Sequence, residues 1–247
     1  MKEFEIRKTL RDIEKRISFE QNSHIYLYMR HPCISVTTII AHFQNIFDYG
    51  DNIAKRKAEE RGVEVATIKA EWKEKGKRSR EDGTYVHSQL EDWFYNKSHH
   101  DFDLDNKKVE AGINYLASLD GNLIAVEQMV AHPNYLVAGT VDFIVYNNDG
   151  TISLGDWKTN EEITDFSYNK KMRGGLGHLN DCNLYHYMLQ LSIYKYILQT
   201  YFKIEVRDIF LVHLKSDGTY EKRTLDYLPA EAEYILKSNV RDDFEQE

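Results

Sequence analysis

The sequence predicts an α/β chain with one catalytic core and a mostly helical N-terminal region, and three observations carry that expectation. Runs of β-branched and aromatic residues recur near 123 to 131, 136 to 146 and 151 to 158. Asn147-Asn148-Asp149-Gly150 separates the last two with residues that tolerate positive φ, the mark of a tight hairpin turn. Helical patterns bracket these strands on both sides, and 42% hydrophobic content over 247 residues is enough for a substantial core. Residues 1–80 are read as the helical region packed on the core and 81–247 as the core itself, one structural unit, since neither repeats nor low-complexity linkers interrupt the chain.

Taken in order, residues 17 to 28 form a small hairpin, and Ser35 caps a helix that starts Val36-Thr37-Thr38-Ile39-Ile40. Helical patterns follow over 50 to 61 and 64 to 78. The pair Gly83-Thr84 offers a break and a cap, so a separate helix is expected from Thr84 through Phe94, and another spans 106 to 119. After the three strands a long helix runs from 182 to 201 with Asp181 as its cap. A second hairpin, 207 to 215 and 219 to 225, turns at Ser216-Asp217-Gly218, and the last helix starts after Pro229. The tail 241–247 is expected to fray.

Composition excludes several classes. No stretch near the N-terminus is apolar enough for a signal peptide or membrane span, so a soluble, intracellular (cytoplasmic) protein without a membrane partner is expected. Cys33 and Cys182 lack CxxC spacing, which argues against a disulfide framework, a zinc knuckle and an iron-sulfur cluster. The net charge of −8 does not advertise a polyanion partner. Locally the picture reverses, because between Lys55 and Arg80 ten basic residues face five glutamates. That segment is either a solvated helical face with i,i+4 pairs or a surface that follows phosphates.

The chemistry concentrates in the strand hairpin. A three-residue loop of Asn148, Asp149 and Gly150 pairs Asn147 with Thr151 and carries the register along to set Asp142 opposite Asp156. Strand alternation points Asp156 and Lys158 one way and Trp157 the other. Opposed residues lie roughly 5 Å apart at Cβ, where two carboxylates repel unless a cation sits between them. A divalent metal is the economical explanation. On the preceding helix His87 and Glu91 share a face, which lets one imidazole approach the acids. Glu127, mid-strand before the hairpin, either faces solvent or joins the site, because an isolated buried carboxylate is costly. Gln190 and Tyr194 are again i,i+4 on a helix that is mainly a core element. Lys170, Lys171 and Arg173 precede a glycine-rich run that is either a loop closing over a phosphate backbone or a surface excursion.

Ser35-Val36-Thr37-Thr38, Gly83 through Glu91, Gly139-Thr140-Val141-Asp142, Gly155-Asp156-Trp157-Lys158-Thr159 and the Gln190–Tyr194 pair together resemble the PD-(D/E)XK nuclease superfamily, in its RecB-like, phage-type exonuclease branch, which includes the mitochondrial genome maintenance exonuclease. The resemblance covers most of residues 34 to 201. It implies a restriction-endonuclease-like core, a central mixed β-sheet flanked by helices. It implies that His87, Asp142, Asp156 and the backbone carbonyl of Trp157 ligate metal, that Lys158 is the catalytic lysine, and that Gln190 and Tyr194 line the site. Val141 stands where the superfamily name places proline. Carboxylate-rich ligation favours Mg²⁺, and the His87 imidazole makes Mn²⁺ a good alternative. The expected activity is metal-dependent hydrolysis of DNA from single-stranded ends, in recombination, repair or replication. An endonuclease, a double-strand 5′–3′ end resector and a DNA-end-binding protein that does not cut are the rivals.

Overall fold

The computed structural model describes residues 1–21, 23, 25–45, 50–95, 102–167 and 169–238. The expected fraying of 241–247 falls outside them. Among the described residues the architecture is a mixed α/β one, with a central mixed sheet of eight strands flanked by helices.

Helix α1 (Glu3–Glu14) opens the chain and buries Ile6, Leu10 and Ile13, a 4-then-3 spacing that gives one apolar stripe. Each such side chain contributes about 1.5–3 kcal/mol when taken from water into the core. Three short strands follow, β1 (Ile17–Glu20), β2 (Ile25–Tyr28) and β3 (His31–Ser35), joined in an antiparallel meander. Ser35 then caps α2 (Val36–His42) by accepting the Thr38 N–H at 3.0 Å, as the sequence predicts.

Helix α3 (Gly50–Arg61) packs on the first half of α4 (Val65–Tyr95) around a small core of Ala54, Ala58 and Ile68. The break expected at Gly83-Thr84 does not exist, for α4 is continuous over 31 residues. A Cβ on Gly83 would lie 3.2 Å from Thr159 Oγ1, just past the end of the strand Ile152–Lys158. Lys108 ties the two segments together, donating to Asp82 at 2.6 Å and to the Thr159 carbonyl at 2.9 Å. The division anticipated at residue 80 lies inside this helix.

Helix α5 (Lys107–Ala117) is capped by Asn106. Strands β4 (Asn122–His132), β5 (Val137–Tyr146) and β6 (Ile152–Lys158) come next, then α6 (Asn183–Thr200), the hairpin β7 (Val206–Leu214) and β8 (Tyr220–Leu225), and α7 (Pro229–Lys237). The cap residue of α6 is Cys182 and makes no side-chain cap bond. Asp181, expected in that role, instead accepts from the Asn45 N–H at 2.7 Å and meets His186 at 2.7 Å, tying the end of α2 to α6.

The sheet runs β1-β2-β3-β5-β6-β7-β8, with β4 along the other edge of β5. Two strands therefore share one edge of β5. β3 runs parallel to its start, through Ile34↔Val137 and Ser35↔Ala138, and β6 antiparallel to its end, from Tyr146↔Ile152 to Phe143↔Gly155. Residues 139–142 of β5 lie in the fork between them. One apolar core, holding Val141, Ile144, Leu154, Leu189 and Ile193, fills the α6 side of the sheet. A second, holding Val86, Leu90, Tyr115, Phe143, Trp157 and Phe210, lies beneath α4 and α5.

Candidate metal centre and active site

The fork gathers the polar residues. The hairpin turn has the anticipated register: Asn147 N–H donates to the Thr151 carbonyl at 2.9 Å, and the ladder runs unbroken to Phe143↔Gly155. The next positions along are Asp142 and Asp156. Ladder pairing stops there, and the freed N–H of Trp157 donates instead to Asp142 Oδ2 at 2.7 Å. Both acids are buried, at 8% and 2% exposure.

Strand β4 brings a third carboxylate to the same level. Its pairs Val126↔Phe143 and Gln128↔Val141 leave Glu127 beside Asp142. Glu127 adopts φ +46°, a left-handed conformation in mid-strand. For a non-glycine residue this costs of order 1 kcal/mol and is retained where the surroundings hold it. From α4, His87 places Nδ1 3.5 Å from Glu127 Oε1 and 3.7 Å from Asp142 Oδ2. Ligand atoms of His87, Glu127 and Asp142 lie within 4.8 Å of one another.

Asp156 sits slightly apart, in an ion pair between its Oδ2 and Lys158 Nζ. Its other oxygen accepts from Gln190 Nε2 at 3.4 Å, and the same nitrogen is 3.5 Å from Tyr194 OH. Tyr187 lies over Lys158, with Nζ 4.4 Å from the ring centroid. It was not singled out from sequence, although 187, 190 and 194 share one face of α6 by their 3-then-4 spacing.

The electrostatics report crowding of like charge. Burial, and then the neighbouring Asp142 charge, raise the Asp156 carboxyl to about 6 against the pull of Lys158. Asp142 is also raised, first by burial and then by Glu127, with His87 and Lys158 opposing. Burial by itself depresses His87, but the charges of Asp142 and Glu127 overcome it and hold the imidazole up at about 9. Lys158 is raised for the same reason, since Asp156 and Asp142 outweigh the cost of burying it. Three acids against one lysine and one imidazole form a set that gains from an added cation.

The donor chemistry fits a metal ion. One imidazole nitrogen and two carboxylates converge, and the buried Asp156 Oδ2 has the Lys158 charge beside it but no well-directed hydrogen bond. Compared with the sequence-based ligand set, the structure gathers His87 and Asp142 and brings Glu127 forward, while Asp156 is turned to Lys158. The Trp157 carbonyl remains a candidate on its position beside Asp156. Two clefts flank the site. One of about 400 Å³ is lined by Gly83, Thr84, His87, Ser88, Glu91 and Glu127. The other, of about 290 Å³, includes Ser35, Thr37, Thr38, Tyr26, Gln190 and Tyr194.

Lys171 and Arg173 belong to a folded strap and not to an open loop. Lys171 Nζ donates to Asn180 Oδ1 at 2.8 Å, and Arg173 donates to the carbonyls of Gln44, at 2.8 Å, and His42. Met172 and Leu176 anchor the strap in the core. The two basic side chains are thus engaged in fastening α2 and the strap to the body.

No family model matches the chain, and no curated protein does. Among solved structures, the crystal structure of SSO0001 is similar at 17% identity and TM-score 0.42, over 99% of this chain and 85% of that one. A Eubacterium rectale protein provisionally named an exonuclease is similar at 15% identity and TM-score 0.43, over 67% of this chain and 66% of that one. Both scores fall below 0.5, and the functional reading stands on the site's own residues.

Proposed function

We propose that this protein is a divalent-metal-dependent deoxyribonuclease, an exonuclease hydrolysing phosphodiester bonds from single-stranded DNA ends in recombination, repair or replication. The observation that carries the reading is the convergence of His87, Glu127 and Asp142 in the fork of the sheet, with the Asp156–Lys158 pair beside them. A phosphodiester resists attack because its anionic oxygens repel the nucleophile, so a site that cuts it must gather positive charge where negative charge develops.

Mg²⁺ or Mn²⁺, held by His87, Glu127 and Asp142 with Asp156 within reach, would supply Lewis acidity and an activated water there. Lys158 adds a fixed ammonium next to the reacting phosphate. Its donors are aimed by Asp156 on one side and by the Tyr187 ring on the other. Gln190 holds the second oxygen of Asp156, so the carboxylate is oriented from both ends. Tyr194, buried and accepting from the Gln190 amide at 3.5 Å, positions that amide, and burial lifts its hydroxyl well above the ordinary range.

The test is digestion of 5′- and 3′-labelled single- and double-stranded DNA with Mg²⁺, Mn²⁺ or EDTA. Mononucleotide or short products released from an end only with metal support the exonuclease. Internal cuts indicate the endonuclease, resection of duplex ends the double-strand enzyme, and retention of DNA without cutting the end-binding protein.

A further inference from the structure

Because α4 is unbroken from Val65 to Tyr95, side chains on its remote first half have a fixed bearing relative to the site. At about 100° per residue, His87, Thr84, Ser88 and Glu91, which line the larger cleft, fall within an arc of about 100°. Carried back along the helix, the same arc collects Arg80, Lys77, Lys73 and Lys69, all exposed, and no acidic residue between Lys69 and Arg80. Lys73 stands about 21 Å along the axis from His87.

Most of the segment's basic residues off the stripe have a partner, Lys57 lying over the Trp72 ring at 5.6 Å. Off the stripe, Arg61 pairs with Glu71 at 2.6 Å, Arg78 with Glu74 at 3.0 Å, Arg56 with Glu60 at 3.7 Å and Lys75 with Glu161 at 3.0 Å. On the stripe, Lys69 pairs with Asp51 of α3 and Lys77 with Glu81 at 3.8 Å. Among the described residues Lys73 and Arg80 have no carboxylate within ion-pair distance. The far end of the cleft is acidic, where Glu91 is raised by burial and then by the charge of Glu127. The potential along α4 therefore falls from positive on the arm to negative beyond the site.

We propose that Lys73, Lys77 and Arg80 form a cationic rail that holds the phosphates of a single DNA strand running from the arm of α3 and α4 down to the fork. This deepens the nuclease reading and rests on it. The surplus charge of the segment is thereby placed on one line aimed at the site.

The test is fluorescence anisotropy of a labelled dodecathymidylate, over a series of salt concentrations, on the 247-residue protein carrying Asp156→Asn to block cutting. The rail variant adds Lys73→Ala, Lys77→Ala and Arg80→Ala. A control adds Arg56→Ala, Lys75→Ala and Arg78→Ala, an equal loss of charge off the rail. The slope of log K against log salt should become shallower by about 2 in the rail variant, at roughly 0.7 per phosphate contact for single strands, and change little in the control. Circular dichroism of both variants checks that the helix is intact. Equal slopes in the two variants would overturn the rail by reducing it to net charge. A rail variant with the parent's slope, while wild type still digests labelled DNA, overturns the rail and leaves the nuclease standing. If wild type neither binds nor digests DNA, both readings fall together.

Discussion

At the scale of single residues, the acids in the fork have different neighbours and should respond differently to replacement. The opposition of Asp142 and Asp156 suggests from sequence that Asp156→Asn leaves metal-free stability unchanged or slightly higher. In the structure the Asp142 charge still raises Asp156, but Asp156 is also held by a buried lysine. Asp156 is the partner of a buried lysine, so Asp156→Ala leaves the Lys158 ammonium without its nearest counter-charge and should cost about 3 kcal/mol of metal-free stability. Glu127→Gln removes a carboxylate that gains from His87 and loses to Asp142, so its metal-free stability should stay within about 0.5 kcal/mol of wild type. Urea unfolding in EDTA measures both. Near-equal losses would mean that Lys158 is satisfied by other groups. The contrast shows what is legible in single residues. Strand alternation and loop length are backbone geometry and set Asp142 beside Asp156, with Lys158 two residues further on. Whether Asp156 turns toward a lysine or toward a metal is a choice of side-chain rotamer, which neither spacing nor residue type reveals. The left-handed backbone of Glu127 is equally silent in sequence.

At the scale of elements, the hairpin between β5 and β6 fixes the register that sets Asp142 beside Asp156, and its turn is held by Asp149. The Thr151 hydroxyl and then the Thr151 N–H, 3.0 Å away, donate to Asp149, and Arg207 adds a contact at 3.1 Å; together they hold the carboxyl at about 2. A carboxyl depressed in the folded state contributes stability that is complete above its ordinary value near 4 and is lost as pH falls through about 2. Asp149→Ala should therefore melt below wild type at pH 6, and the gap should close between about pH 4 and pH 2. A gap that persisted at pH 2 would assign the effect to the turn's shape and not to its charge. On the same hairpin a Cβ at Gly155 would fall 2.0 Å from Cζ of the buried Phe143, which stacks on Trp157 at 4.2 Å. Gly155→Ala should cost about 1–3 kcal/mol by overpacking and disturb the Trp157 N–H that caps Asp142. Near-ultraviolet dichroism, alongside thermal melting, would check this. Gly83 teaches the complementary lesson. A glycine before a threonine resembles a helix boundary, whereas here it lets one long helix pass close to Thr159, and only a partner distant in sequence tells the two apart.

At the scale of the whole molecule, the fork explains why chemistry collects at one place. β3 and β6 occupy the two ends of one edge of β5, which leaves an unpaired stretch in mid-sheet with a cleft on either side. The antiparallel hairpins β5–β6 and β7–β8 follow from their turn residues. The parallel docking of β3 on β5 joins residues about a hundred positions apart, carries no local signal, and decides where the fork lies. A site built this way should respond to metal as a unit. An ion that binds only the folded protein stabilises it by mass action, about 2.7 kcal/mol at a hundredfold excess over its dissociation constant. Wild type should therefore melt higher with saturating Mn²⁺ or Mg²⁺ than in EDTA. His87→Ala comes from α4, Glu127→Gln from β4 and Asp142→Asn from β5, and each should lose most of that rise. Because the three residues belong to elements that meet only in the folded core, a shared loss locates the ion at their junction. Retention of the full rise by any one variant would remove that residue from the ligand set, and retention by all three would place the ion elsewhere on the protein.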